Sequence, residues 1–239
     1  MESASKREEA VELNAHYYNP KNEGSYSGLS GLKRGLKGRI SSKKLKNWLS
    51  GEDAYTLHVP VRRKFRRRKT IVSGIGEQWQ GDLVDVSSLK KYNRGNTFIL
   101  TVVDCFSRVA YAVPLKNKTS KSVISGLKSV IKKAGGVVRR FQSDKGIEFG
   151  NRGVQDFLSS QGIEHFTTEN DDVKGSIVER FNCTLKEKLW RYFTQHKTLK
   201  YVSVLPDILA SYNKTYHRSI GMAPLEVNLE NQETVWKRL

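Results

Sequence analysis

A chain of 239 residues can hold one core of ordinary domain size and a smaller appendage, and little more. Its formal net charge of +18 and isoelectric point near 9.9, at 37% hydrophobic content, point to a polyanionic partner, nucleic acid first, and away from a disordered chain. Two cysteines cannot build a disulfide framework, and no run is apolar enough for a membrane span or a signal peptide, so a soluble intracellular protein is expected.

Residues 1–22 are polar and suit one short helix. SYSGLSGLKRGLKG follows, rich in Gly and Ser, and then ISSKKLKNWLS, where Ser41 or Ser42 offers an N-cap and Leu45, Trp48 and Leu49 form an apolar stripe. A small basic helical region is expected over residues 1–60, with a basic linker over 61–77. From Lys33 to Ser73 there are fourteen Lys or Arg against only Glu52 and Asp53, densest between Arg62 and Lys69. Such a run suits contact with a DNA backbone, and also a solvated linker or a nuclear-import signal. The histidines (16, 58, 165, 196 and 217) and the two cysteines do not pair at zinc-finger spacing, so no structural zinc is expected.

A core is expected over 78–228 and a tail over 229–239. Trp79–Val86, Thr97–Val103 and Val109–Pro114 read as three strands in a meander. Thr119–Ala134 reads as a helix ended by Gly135-Gly136. A strand over Gly136–Phe141, a helix from about Gly153 to Gln161, a short strand Glu164–Thr167 and a helix opening near Ser176 complete the pattern, which predicts a mixed α/β sheet with packed helices. The polar stretch containing Asp171, Asp172, Lys174 and Gly175 suits a mobile loop or an ordinary surface connection.

Three acids stand out. Asp82 interrupts a strand-like run, where a buried carboxylate costs several kcal/mol unless it is paired or binds a metal. Asp144 stands at a strand exit, and Glu179 falls in the first turn of a helix on which Glu179, Asn182, Cys183 and Lys186 share one face. Oxygen donors alone, from three separate elements, suit Mg2+ or Mn2+ and not zinc. Asp85 points to the sheet face opposite Asp82. Asp104 reads as a turn-capping aspartate, Glu148 as a neighbour of the site and not a ligand, and Cys183 as a small semi-buried residue.

The motifs WQGD around Asp82, FQSDKGIEF around Asp144 and GSIVERFNCTLK around Glu179, with 34 residues between the last two acids, resemble the catalytic core shared by retroviral and retrotransposon integrases and related D,D,E transposases. HVPVRRKFRRRKTIVSG before the core and SYNKTYHRSIGMAP after it make the chain look most similar to integrases of Maverick/Polinton-type DNA transposons. The resemblance implies a ribonuclease H-like mixed sheet with helices on both faces, preceded by the small basic helical region. It places His217 with a terminal helix, in a structural or DNA-contacting role. The retroviral zinc-binding N-terminal signature is missing, and nothing at the C-terminal end is long enough for the small barrel or chromodomain of many relatives. Lys145 departs from the Asn often found after the second acid; a cation there lowers the pKa of Asp144 or binds a DNA phosphate.

What the resemblance implies is integration of a mobile element's DNA. Asp82, Asp144 and Glu179 would hold two Mg2+ (or Mn2+) ions about 4 Å apart, serving first the trimming of a 3′ end by water and then attack of the 3′ hydroxyl on target DNA. Lys186, Asn182, Arg180, Lys145 and the run Arg66, Arg67, Arg68 and Lys69 are the expected DNA contacts. DNA ends, target DNA and further copies of the chain are the expected partners, without membrane, and the location is nuclear. A domesticated, non-catalytic DNA-binding protein and a hydrolytic nuclease with the same core are the alternatives.

Overall fold

The computed structural model describes residues 2–58, 70–136, 138–167 and 176–239. The first of these segments forms four helices, α1 (Glu2–Tyr17), α2 (Leu29–Gly35), α3 (Ser42–Gly51) and α4 (Asp53–Thr56). Ser41 is the residue that caps α3, accepting from the Lys44 N–H. With the start fixed there, Leu45 and Leu49 fall one turn apart and are buried with Leu13, Tyr17, Tyr26, Leu32 and Leu36, while Trp48 packs at the edge.

The strand QWQGDLVD (β1, Gln78–Asp85) explains the rest of the architecture, because its residues alternate between two buried faces. It pairs antiparallel with β2 (Phe98–Asp104), which pairs antiparallel with β3 (Ala110–Leu115), giving the expected meander. On its other side β1 pairs parallel with β4 (Arg140–Ser143), and β4 with β5 (Glu164–Thr167), so the sheet order is β3-β2-β1-β4-β5. Between β3 and β4 the chain forms α5 (Ser120–Ala134), ended by Gly135 in the left-handed conformation at φ 81°. The turn α6 (Ile147–Gly150) and the helix α7 (Arg152–Ser160) lie between β4 and β5.

Trp79 shares one face with Leu100, Val102 and Phe141, and these pack on Val123, Leu127 and Val130 of α5 and Val154 and Leu158 of α7. Gly81 sits on that face between its neighbours: a Cβ there would lie inside the van der Waals envelope of the Phe141 ring, so the glycine of WQGD is a packing requirement. The opposite face carries Gln78, Gln80 and Asp82, and α8 (Ser176–His196) opens against it.

Two compact units emerge that are discontinuous in sequence. Residues 1–63 and 184–216 form a helical unit; 64–183 and 217–239 form the sheet unit. The sequence reading of one uninterrupted core over 78–228 differs here, and the reason is length. At 1.5 Å per residue the 21-residue α8 runs about 30 Å and passes from one unit into the other after Cys183. α9 (Leu205–Lys214) belongs to the helical unit. It ends before His217, which pairs in a short bridge with Met222 and so does not belong to a terminal helix. Within residues 229–239, α10 (Gln232–Trp236) buries Val235 with Val72, Cys105, Phe106 and Ile220. The fourth strand also starts later than expected, at Arg140, because Gly135 and Gly136 both take positive φ after α5.

Candidate metal and nucleic-acid site

In the parallel pairing of β1 with β4, Gln80 stands opposite Gln142. Residues opposite one another point to the same face, and every second residue returns to it. Two residues further along β1, Asp82 returns to the face of Gln80, while Asp144 follows the last residue of the neighbouring β4. The side chains bear out the shared face: Gln78 and Gln80 each donate from Nε2 to Gln142 Oε1, at 2.8 and 2.9 Å. Gln80 Oε1 in turn accepts from the N–H groups of Ile177 and Val178, at 3.0 and 3.1 Å, and so satisfies orphan donors in the first turn of α8. This amide row is a buried polar network that fixes the helix start on the acid-bearing face.

One turn on, Asn182 Nδ2 donates to Asp82 Oδ2 at 2.6 Å, while the Leu83 N–H donates to Asp82 Oδ1 at 2.7 Å. Glu179 precedes Asn182 by three residues, on the same side of the helix, and is exposed. Asp144 is exposed too, and its Oδ1 accepts from the Gly146 N–H at 3.1 Å. The loop doubles back so tightly that a Cβ on Gly146 would meet the carboxyl groups of both Glu148 and Asp144. The geometry thus ties the turn bearing Glu179 to Asp82 through Asn182, and leaves Asp144 at the exit of the strand beside β1. Among the described residues, however, no three His, Cys, Asp or Glu side chains come together as a group able to hold a metal.

Other expectations fare differently. Asn182, expected on DNA, is only 7% exposed and its amide is turned to Asp82; its Oδ1 is buried with no hydrogen-bond partner among the described residues. Lys145, Arg180 and Lys186 are exposed, Lys186 on the part of α8 that belongs to the helical unit. Cys183 is exposed and not semi-buried, whereas burial, with Asp104 adding, pushes the Cys105 thiol far up. Arg66, Arg67, Arg68 and Lys69, and the stretch Asp171 to Gly175, lie outside the described residues. Asp104 is the capping residue expected and more: it accepts from the N–H groups of Gly76, Phe106 and Ser107, from Ser107 Oγ and from Trp79 Nε1.

Sequence reasoning missed Gln80, Gln142 and His165. Ser143 Oγ donates to the Asp144 carbonyl at 2.9 Å and lies 3.0 Å from His165 Nε2. A hydroxyl has one proton to give, so the imidazole donates to Ser143 and the pair steadies the exit of β4. The glutamines did leave a signal, the period-two polar pattern Gln78, Gln80, Asp82 in one strand and Gln142, Asp144 in the other.

A five-stranded mixed sheet in this order, with helices on both faces, is the ribonuclease H-like fold of integrase catalytic cores. Residues 73–172 match the model of the integrase core domain. A transposon-derived protein of Caenorhabditis elegans is 36% identical over 59% of the chain, and the Pol polyprotein of transposon 412 of Drosophila melanogaster 29% identical over 47%. The chain spans about half of the first relative (49%) and 9% of the second. Among solved structures, the HTLV-2 integrase catalytic core domain in complex with magnesium aligns with a TM-score of 0.54 and 25% identity, over 64% of this chain and 95% of that one. A simian T-cell lymphotropic virus intasome, in complex with a PP2A regulatory subunit, aligns with a TM-score of 0.60 over 84% of this chain and 70% of that one, at 22% identity. The sheet unit has the fold of retroviral integrase cores, and its residues 73–172 resemble the integrase core domain.

Proposed function

We propose that the protein is the integrase of a mobile element, joining DNA 3′ ends to target DNA in a divalent-metal-dependent reaction. The observation that carries this reading is the Asn182–Asp82 hydrogen bond of 2.6 Å, which holds the turn bearing Glu179 beside Asp82, on the strand paired in parallel with the one Asp144 follows. The donor set fits the metal: the three candidate ligands offer hard oxygen only, and a divalent cation would offset the repulsion of bringing three carboxylates together. Mg2+ or Mn2+ bound there would activate the attacking oxygen and stabilise the leaving one. Asn182 orients Asp82, the Gln80 amide fixes the start of α8, and Ser143 with His165 steadies the backbone at Asp144. Lys145, Arg180, Lys186 and the run Arg66 to Lys69 would contact phosphates. Action as an oligomer on two DNA ends, nuclear location and kinship with Maverick/Polinton elements belong to the same proposal. The magnesium-bound HTLV-2 core is described in a trimeric form and in a dimeric form.

The test is joining of linear DNA ends to a plasmid in Mg2+ by the purified protein. Glu179→Gln should abolish joining and leave DNA binding intact; a variant that joined as well as the parent would mean the wrong acid has been chosen. Plasmid nicking without joining would indicate a hydrolytic nuclease instead.

A further inference from the structure

Within the helical unit, a cleft of about 580 Å³ is lined by Ser30, Lys33, Arg34, Lys37 and Ser42, with Leu29 and Gly38 at its wall. We propose that this cleft is a second DNA-backbone site, one whose three cations contact neighbouring phosphates of duplex DNA and which is distinct from the acid-bearing face. The proposal rests on the reading of the protein as a DNA-processing enzyme and adds a place where the helical unit grips its substrate.

The charge of the cleft is unopposed. Arg39 and Lys44, elsewhere on the same unit, are paired with Glu12 and Glu9 of α1, at 2.9 and 2.8 Å. Lys33, Arg34 and Lys37 have no carboxylate partner among the described residues. Two of these cations are positioned by neutral groups: Lys33 Nζ donates to Ser42 Oγ at 2.9 Å, and the Arg34 guanidinium lies 3.8 Å from the centre of the Tyr216 ring. The α2 carbonyls that might have opposed the charge are occupied, since those of Lys33 and Arg34 accept from the N–H groups of Gly38 and Lys37.

One local choice at the cleft runs against backbone preference. Lys37 takes φ 51° after α2, a left-handed position that glycine fills without steric strain, and so carries an ammonium group at the cleft where stability would favour no side chain. Local rules broken at one place in a fold are a mark of function. A phosphodiester suits the cleft because it needs charge and donors from several directions and no base-specific geometry.

The experiment is fluorescence anisotropy of the full chain on a labelled duplex of random sequence, across a series of salt concentrations. The triple variant Lys33→Gln, Arg34→Gln, Lys37→Gln should flatten the slope of log K against log salt by about three, while Arg39→Gln with Lys44→Gln should change it by less than about one. Lys37→Gly separates binding from folding: it relieves the strained φ, so Tm should rise by a few degrees while DNA binding weakens. If the parent binds with a steep slope and the triple variant keeps it, or if the paired control loses as much per charge, the cleft is not a site although the protein still handles DNA. If Lys37→Gly binds like the parent, the position of that lysine has no bearing on DNA. A parent that does not bind the duplex at all overturns both the cleft and the integrase reading.

Discussion

The buried set around Lys188 in the helical unit and the polar row beside Asp82 in the sheet unit differ in how fully they are bonded. In the helical unit, Lys188 is 4% exposed, yet it donates to the Ser25 carbonyl at 2.6 Å and to Ser211 Oγ at 3.3 Å, and Ser211 in turn bonds Ser25 and Asn22. Arg191, 3% exposed, donates to the Tyr26 carbonyl and lies over the Tyr55 ring. In the sheet unit, Gln78, Gln80, Gln142 and Asp82 stand together on the face opposite the apolar core around Trp79, Phe141 and Val123. There the bonding is left open: Asn182 Oδ1 is buried with no hydrogen-bond partner among the described residues, and Asp144 and Glu179 are exposed. Burial of a charge therefore does not by itself mark chemistry. A set of bonds that holds two segments together marks structure, and an open one beside Asp82 and the Glu179 turn marks the candidate site.

The largest effect that would break this contrast is expected in the helical unit. Lys188→Ala deprives Ser25 and Ser211 of their donor and opens a cavity, so it should destabilise the protein by about 3 kcal/mol or more, read from the midpoint of urea unfolding. A neutral result would show that the buried ammonium does not hold the unit together. Asn182→Ala should do the reverse: unfolding changes by less than about 1 kcal/mol, because Asp82 keeps its bond from the Leu83 N–H, while strand joining falls about 10–100-fold. If stability fell and the rate per folded molecule did not, Asn182 would belong with Lys188 as a structural residue.

How much of this was legible beforehand depends on where the determining contacts lie. The β5 strand and α5 stand where the sequence reading put them, because period-two or period-3.6 patterning between strong turn residues is a local signal. The acid motifs were legible through resemblance, and the parallel pairing of β1 with β4 sets the strand carrying Asp82 next to the one that Asp144 follows. The role of Asn182 was not legible, since an amide on the Glu179 face reads equally as a DNA contact until its distance to Asp82 is known. Nor was the Gln80 cap on α8, which joins residues 97 apart in sequence. The place of His217 depended on a bridge to Met222 rather than on the helix before it. Short elements such as α6 and α10 lack the length for a periodic pattern and exist through tertiary packing.

The smallest effect sharpens the contrast through pH. Burial first, and the charge of Arg108 second, lower the His217 imidazole to about 4, while its Nδ1 lies 3.0 Å from Ser219 Oγ. The unfolded chain takes up that proton near 6.5 and the folded one only near 4, so His217 contributes stability that is complete above pH 6.5 and is lost as pH falls toward 4. Allowing for its partial exposure, the loss is about 2 kcal/mol. His165, lowered by burial, adds a loss of the same sign in the sheet unit, and His58, lowered by burial and Arg191, does so in the helical unit. Lys188 acts in a different window. Burial, with Arg191 adding and Glu187 opposing, lowers it to about 7, so the helical unit gains stability as pH rises from about 7 toward 10.5. His217→Gln should therefore flatten the acid limb of the stability profile between pH 6.5 and 4 and leave the alkaline rise untouched, as followed by hydrogen exchange resolved by unit. If the acid limb kept its slope, the imidazole would be taking up its proton in the folded state, and the bridge to Met222 would have to tolerate a charge beside Arg108.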